Sequence, residues 1–291
     1  MITSFLEKIE KTLSQNDIPE YEFIHQPNHP LPNVDCIKKL MNLIKSIIFP
    51  GFFGNGDANG NTAIDNLKNV YVLLNEQIYK GLCFSYEYGS PQKTADEFTL
   101  SFIENLPKIK RLLATDVKAV HDCDPAAKSY SEVIFCYPAV QAMLHYRVAH
   151  ELLLMQIPLL PRIITETAHF ATGIDIHPAA QIGEYFSIDH GTGVVIGETC
   201  IIGNNVRLYQ GVTLGAKGFV FDSDGLPINQ PRHPIIEDNV IIYSNSTILG
   251  RITIGHDSII GGNVWQVNSV PPYSRIIQKK ASAIFTDGLG I

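Results

Sequence analysis

The sequence predicts an α+β protein in which an amino-terminal helical domain is followed by a parallel β-helix and a flexible carboxyl-terminal tail. Two patterns carry that expectation. Between Ile174 and Arg275 an apolar residue returns every six positions, whereas before Ile174 the apolar residues are spaced as on amphipathic helices. The length of 291 residues, 45% hydrophobic and 18% charged, is globular and leaves room for both parts.

The six-residue beat runs through Ile176, Ile182, Ile188 and Val194, slips by two, and resumes at Ile202, Leu208 and Leu214. After a long excursion it returns at Ile236, Ile242, Ile248, Ile254 and Ile260. A second series of small or β-branched residues, among them Cys200, Val206, Val212, Val240, Ser246, Ile252, Ser258, Val264 and Val270, keeps step with the first. Neither a helix nor a simple strand has this period, but a coil of short strands joined by tight corners does. Each unit forms one side of a prism, with glycines such as Gly183, Gly197 and Gly203 at corners that a Cβ would crowd. Three sides make a coil of roughly eighteen residues, so the stretch holds about four coils. The period does not fix the hand.

Residues 1–173 read as the helical domain. Phe5, Leu6, Ile9 and Leu13 form a first stripe, and a proline-rich break runs from Pro19 to Pro32. A helix from Val34 to Phe49 ends at Pro50-Gly51, and further helices are expected over Thr62–Gly81, Thr94–Leu113 and Ala114–His121. The glycine-rich run at 54–61 is a connector rather than a phosphate loop, because no strand precedes it and no Gly-Lys-Ser/Thr closes it. Asp122 to Ala127 is a turn, Tyr137–Gln156 a helix closed by Pro158 and Pro161, and Leu159–Thr172 a last helix. Residues 174–275 then form the β-helix with an inserted loop at 215–235, and 276–291 the tail.

A formal charge of −7 argues against a nucleic-acid or anionic-membrane surface. Cys36, Cys83, Cys123, Cys136 and Cys200 are odd in number, scattered and free of CxxC spacing, which favours reduced thiols in a cytoplasm. Acidic residues near the start and the lack of a long apolar run leave no expected signal peptide or membrane span.

Chemistry-bearing residues concentrate in two places. Asp175, His177, Asp189 and His190 crowd the first coil, and the excursion carries Lys217, Asp222, Asp224, Arg232 and His233. Asp175 and His190 lie fifteen residues apart, which puts them on neighbouring turns and allows contact without requiring it. An imidazole oriented by a carboxylate can take a proton from a hydroxyl as that hydroxyl attacks a carbonyl.

The segments Asp175-Ile176-His177-Pro178-Ala179-Ala180, Ile188-Asp189-His190-Gly191-Thr192-Gly193, Gln210-Gly211-Val212-Thr213-Leu214-Gly215 and Arg232-His233-Pro234 resemble, in order and spacing, those of serine O-acetyltransferases. The resemblance covers roughly Asp124 to Arg275. It implies a left-handed hexapeptide-repeat β-helix behind a helical domain, assembled as homotrimers that often pair into hexamers. The implied reaction moves acetyl from acetyl-CoA to the hydroxyl of L-serine, giving O-acetylserine and CoA for cysteine synthesis. Carried over residue by residue, His190 is the general base and Asp175 its orienting partner. Asp124 and Asp189 hold the serine amino group, Arg232 its carboxylate, and His233 lines the same pocket. A zwitterion calls for carboxylates at one end and a cation at the other.

The resemblance also implies that CoA occupies a groove between adjacent subunits at Gly215, Ala216, Lys217, Ser244 and Gly262, under the excursion loop. Here the sequence departs from the family: Lys217 replaces a small polar residue, Tyr243 and Ser244 replace smaller ones, and the excursion is longer. A terminal isoleucine, here Ile291 behind Lys279 and Lys280, is similar to tails that enter the active site of O-acetylserine sulfhydrylase. The donor for the tetrahedral oxyanion and the choice of trimer or hexamer stay open.

Three rival readings fit the sequence less well. Another hexapeptide acyltransferase, acting on a sugar, an antibiotic or homoserine, does not account for Asp124-Pro125-Ala126 together with Arg232-His233-Pro234. A zinc enzyme of the γ-carbonic-anhydrase type needs converging histidines, and His177, His190, His233 and His256 are too dispersed, so no metal is expected. A non-catalytic regulator of the sulfhydrylase does not need an intact set of base, acid and serine ligands.

Overall fold

A computed structural model describes residues 2–13, 30–53, 63–85 and 91–278. The glycine-rich run from Gly54 to Asn61, much of the proline-rich break and the tail from Lys279 to Ile291 lie outside the described residues.

Helix α1 (Ile2–Leu13) buries none of its residues, so its apolar stripe faces outward. Helix α2 (Val34–Ile48) begins where the Asn33 side chain accepts the Cys36 N–H at 2.9 Å, and it stops before Pro50. Helix α3 (Ala63–Ser85) runs through Gly81, where the sequence alone ended it. That glycine serves a close approach instead: a Cβ there would lie 2.9 Å from the Pro158 carbonyl oxygen.

Helix α4 (Pro91–Cys123) is one element where two were expected. Its buried stripe of Phe102, Leu106, Ile109, Leu113, Val117 and Val120 continues through the anticipated break, and Pro107 is accommodated inside it. Helices α5 (Tyr130–Cys136), α6 (Pro138–Leu154) and α7 (Leu160–Thr172) follow, and Gly173 at φ +70° turns the chain out of α7.

Fourteen two- or three-residue strands then coil: β1 (Asp175–Ile176), β2 (Gln181–Ile182), β3 (Ser187–Asp189), β4 (Val195–Ile196), β5 (Ile201–Ile202), β6 (Arg207–Tyr209), β7 (Thr213–Gly215), β8 (Ile235–Ile236), β9 (Ile241–Ile242), β10 (Thr247–Leu249), β11 (Thr253–Ile254), β12 (Ile259–Ile260), β13 (Trp265–Gln266) and β14 (Arg275–Ile276). They stack as three parallel faces, β1-β4-β7-β10-β13, β2-β5-β8-β11 and β3-β6-β9-β12-β14. Two faces therefore have five rungs, one more than the coil count expected from the period. The inward aliphatics, from Ile176 to Ile260, are buried.

One part of the beat falls differently from the sequence reading. The inward leader of β4 is Ile196, paired with Ile176, while Val194 occupies the buried corner before it. The two extra residues thus enter between Ile188 and Ile196, at the corner that begins with His190. Positive φ angles at His190 (57°), Gly191 (93°) and Gly193 (78°) bend the chain outward there. Other corners use Asn205, Asn239, Asn245, Asp257 and Asn263 at φ 55–61°, a conformation asparagine and aspartate tolerate well.

The two layers are joined by a buried ion pair. Arg147 on α6 meets Asp116 on α4 at 3.0 Å and donates to the carbonyl oxygens of Ile182 and Gly183, while Asp116 accepts the Phe186 N–H. Every strong polar group at this junction has a partner, which is what burial of a charge demands.

Candidate active site

Chain direction assigns each candidate residue to an edge of the prism. The coil passes from the first face to the second, then the third, then back to the first. His190, Gln210, Ser244 and Gly262 follow strands of the third face, so they lie along the third–first edge. His177, Glu198, Thr199, Lys217, Arg232 and His233 lie along the first–second edge.

On the third–first edge, His190 is 75% exposed at its side chain and its Nε2 lies 3.7 Å from the Asp189 carboxylate. Asp124 reaches the same place from the turn after α4. Its Oδ1 accepts the Ala126 N–H at 2.8 Å and its Oδ2 accepts the Tyr137 hydroxyl at 2.5 Å. The Tyr137 hydroxyl, then the Ala126 N–H, holds the Asp124 carboxyl below the usual carboxylate range, with His190 adding to the effect. The same bond pushes Tyr137 up to about 12. Asp124, Tyr137, Asp189, Cys123, Ser187 and Arg207 line a cavity of about 10 Å³, room for roughly one water.

On the first–second edge, Arg232 Nη2 is 2.6 Å from Glu198 Oε2, and its Nη1 contacts Asn229 and the Gln230 carbonyl. His233 is 7% exposed and packs on Gly197, where a Cβ would fall 2.1 Å from its Cδ2. The Thr199 N–H approaches His233 Nδ1 at 3.1 Å, so Nδ1 is the accepting nitrogen and Nε2 carries the proton. Burial, then the Arg232 charge, pulls His233 down to about 4, so the ring is neutral near pH 7. Burial and Arg162 lower His177 as well.

Asp175 stands on the first face, within 4.8 Å of ligand atoms of Glu166 and His169 on α7. His169 Nδ1 is 3.2 Å from Glu166 Oε2, and Arg162 takes the other Glu166 oxygen. Among the described residues no hydrogen bond or ion pair joins Asp175 to His190. None of His177, His190, His233 or His256 belongs to a set of side chains close enough to share a metal ion, among the described residues.

The candidate CoA positions divide in the same way, with Gly215, Ala216 and Lys217 on one edge and Ser244 and Gly262 on the other. A Cβ at Gly262 would come within 3.3 Å of the Ser244 carbonyl oxygen. The excursion is a hairpin bridged at Phe221 and Pro227, with Phe219, Val220, Phe221, Leu226 and Ile228 exposed. Asp222 serves its turn, accepting the N–H groups of Asp224 and Leu226 at 2.9 Å.

Sequence reasoning passed over Tyr137, Thr199 and Glu198, which hold the named groups. The Tyr137 contact spans thirteen residues and leaves no periodic signal, whereas Glu198 and Thr199 directly follow the corner Gly197 and form no motif of their own.

Residues 233–265 match the family described as bacterial transferase hexapeptide (six repeats). The chain is 46% identical over 302 aligned positions to a plasmid-borne serine acetyltransferase of Synechococcus elongatus, covering 98% of this chain and 95% of that one. Among solved structures it resembles isoform 3 of the Entamoeba histolytica serine acetyltransferase in complex with cysteine, at TM-score 0.73 and 32% identity, over 96% of this chain and 92% of that chain. It also resembles a serine acetyltransferase in complex with CoA, at TM-score 0.54 and 27% identity, over 84% of this chain and 97% of that chain. The fold class is the expected one, a helical part followed by a left-handed hexapeptide-repeat β-helix.

Proposed function

This chain belongs to the serine acetyltransferase family, and on that premise we propose that it transfers acetyl from acetyl-CoA to the hydroxyl of L-serine, giving O-acetyl-L-serine and CoA. The observation that carries the reading is the division of charge between two edges. Carboxylates of Asp124 and Asp189 accompany His190 on one edge, and the Arg232 guanidinium accompanies a neutral His233 on the other. Serine presents an ammonium to the first set and a carboxylate to the second. The two sets sit on different edges of one prism, so a site between neighbouring copies of a homotrimer unites them.

In that site His190 takes the serine hydroxyl proton as the oxygen attacks the thioester carbon, with Asp175 as the orienting carboxylate in the reading. The carbonyl π electrons move to oxygen, and the Nε2–H of His233, already oriented by Thr199, is a donor suited to that oxyanion. Collapse breaks the C–S bond, and the imidazolium returns its proton to the departing CoA thiolate. Arg232 exchanges part of its contact with Glu198 for the substrate carboxylate.

Acetyl-CoA is assigned to Gly215, Ala216, Lys217, Ser244 and Gly262, and a relative of this fold is known in complex with CoA. Residues 1–173, 174–275 and 276–291 serve as helical domain, catalytic β-helix and tail, and the copies assemble as a homotrimer or as a hexamer of two trimers. The proposed role also includes a cytoplasmic place in cysteine biosynthesis and contact of Ile291 with O-acetylserine sulfhydrylase. No helix among the described residues is long and apolar enough to cross a membrane.

Release of CoA thiol from acetyl-CoA with L-serine tests the proposal, with L-homoserine and sugars as rival acceptors. Turnover with serine that His190→Ala lowers by at least about a thousandfold, in a folded protein, supports it. Turnover with another acceptor alone removes the roles of Asp124, Asp189 and Arg232.

A further inference from the structure

Two tyrosines stand on the outer surface of the third face, one and two rungs beyond Asp189. Strand pairing sets Tyr209 beside Asp189, and the next pairing, Leu208 with Ile242, brings Tyr243 to Tyr209. Their rings stack with centroids 4.8 Å apart and planes within 18°. Tyr243 is still 39% exposed. At the neighbouring corner, between His190 and Ser244, Gln210 Oε1 is buried without a hydrogen-bond partner.

We infer that Tyr209, Tyr243 and Gln210 form a subsite for the amide-bearing arm of the acyl thioester, with Tyr243 as a residue that sets affinity for the donor. This rests on the acetyl-transfer reading and adds a contact to it. Rungs are about 4.8 Å apart, so the two rings lie roughly 5 and 10 Å from the rung of Asp189. A thioester carbon within reach of a hydroxyl at His190 leaves its thiol arm crossing that interval. The arm is uncharged and carries planar amides, which lie flat on aromatic faces. An amide N–H also satisfies the waiting Gln210 oxygen, and a buried acceptor left unpaired is costly. Serine fits this surface poorly, because a small zwitterion is recognised by charge and the stack offers none.

Tyr243→Ala and Tyr243→Phe in the full chain test the inference, by steady-state kinetics, by calorimetric binding of CoA itself, and by solution mass. The expected result for the alanine variant is a rise of about tenfold in KM for acetyl-CoA and in Kd for CoA. KM for serine, kcat and mass should stay within about twofold of native, and the phenylalanine variant should behave as native. Unchanged donor affinity in Tyr243→Ala overturns the inference while serine acetylation by the native chain leaves the parent reading intact. A loss of affinity that appears only with loss of assembly mass also overturns it, by assigning the stack to contact between copies. Native protein that neither binds CoA nor turns over serine removes both.

Discussion

The Thr199 hydroxyl oxygen lies 2.9 Å from His233 Nδ1 and also accepts the backbone N–H groups of Arg232 and His233, at 2.9 and 3.0 Å. With its lone pairs taken by those two donors, the hydroxyl turns its own hydrogen to the ring. The threonine thereby fixes both the tautomer and the tilt of a buried imidazole.

A histidine held this way should resist protonation. Nitrogen NMR of ¹⁵N-labelled protein is expected to show the neutral Nε2–H form of His233 from pH 8 down to about 5, with protonation near 4 against an ordinary 6.5. The sign follows from the lowered value. The unfolded chain binds this proton first, so the histidine's contribution to stability is present above about pH 6.5 and lost as pH falls through about 4. Titration of His233 near 6.5 would contradict the network.

Gly197→Ala should separate chemistry from folding. The new methyl would sit 2.1 Å from His233 Cδ2, and the clash falls on a side chain rather than on backbone, so the buried ring is the part that must shift. The β-rich circular dichroism should be retained while kcat drops at least about tenfold, a size typical of displacing one positioned donor. Full activity in this variant would show that the ring position is not needed.

Tyr137→Phe removes the hydroxyl that Asp124 accepts at 2.5 Å. Hydrogen bonds to charged groups contribute about 1.5–3 kcal/mol, so KM for L-serine should rise about tenfold or more while KM for acetyl-CoA is unchanged. Equal changes in both constants would point to a general loss of structure instead.

Arg147→Met should lower stability by about 3–5 kcal/mol, because it strands the Asp116 carboxylate between the helices and the first coil. Adding Asp116→Leu should restore much of the melting temperature. Failure of the double variant to recover would assign the loss to the carbonyl oxygens of Ile182 and Gly183, which Arg147 also serves.

The coil was legible because its period is imposed by stacking, and every inward aliphatic must meet the one in the next rung. The misplaced slip at Val194 shows the limit of that logic: Val194 and Ile196 are both buried, and only the pairing of Ile196 with Ile176 tells leader from corner. Helix breaks were less legible, since Gly81 and the residues after Leu113 signal a stop only when packing partners are ignored. His190 and Asp189 stand out by residue type and Asp124 by the family resemblance alone, and the structure gathers all three at one edge. The groups that steady the site, Tyr137 and Thr199, act through contacts between distant segments, which no local pattern announces.

Both insertions into the six-residue beat lie at edges, and each returns the chain in phase. Ile176 pairs with Ile196 across the bulged corner, and Ile202 with Ile236 across the hairpin. Closing a longer loop adds only slowly to the entropic cost, so the ladder is nearly indifferent to how long an interruption is. Persistence of the prism and reactivity of its margins are consequently separate heritable traits. A descendant of this chain can trade one margin for another, and with it the molecules it handles, without renegotiating a single rung.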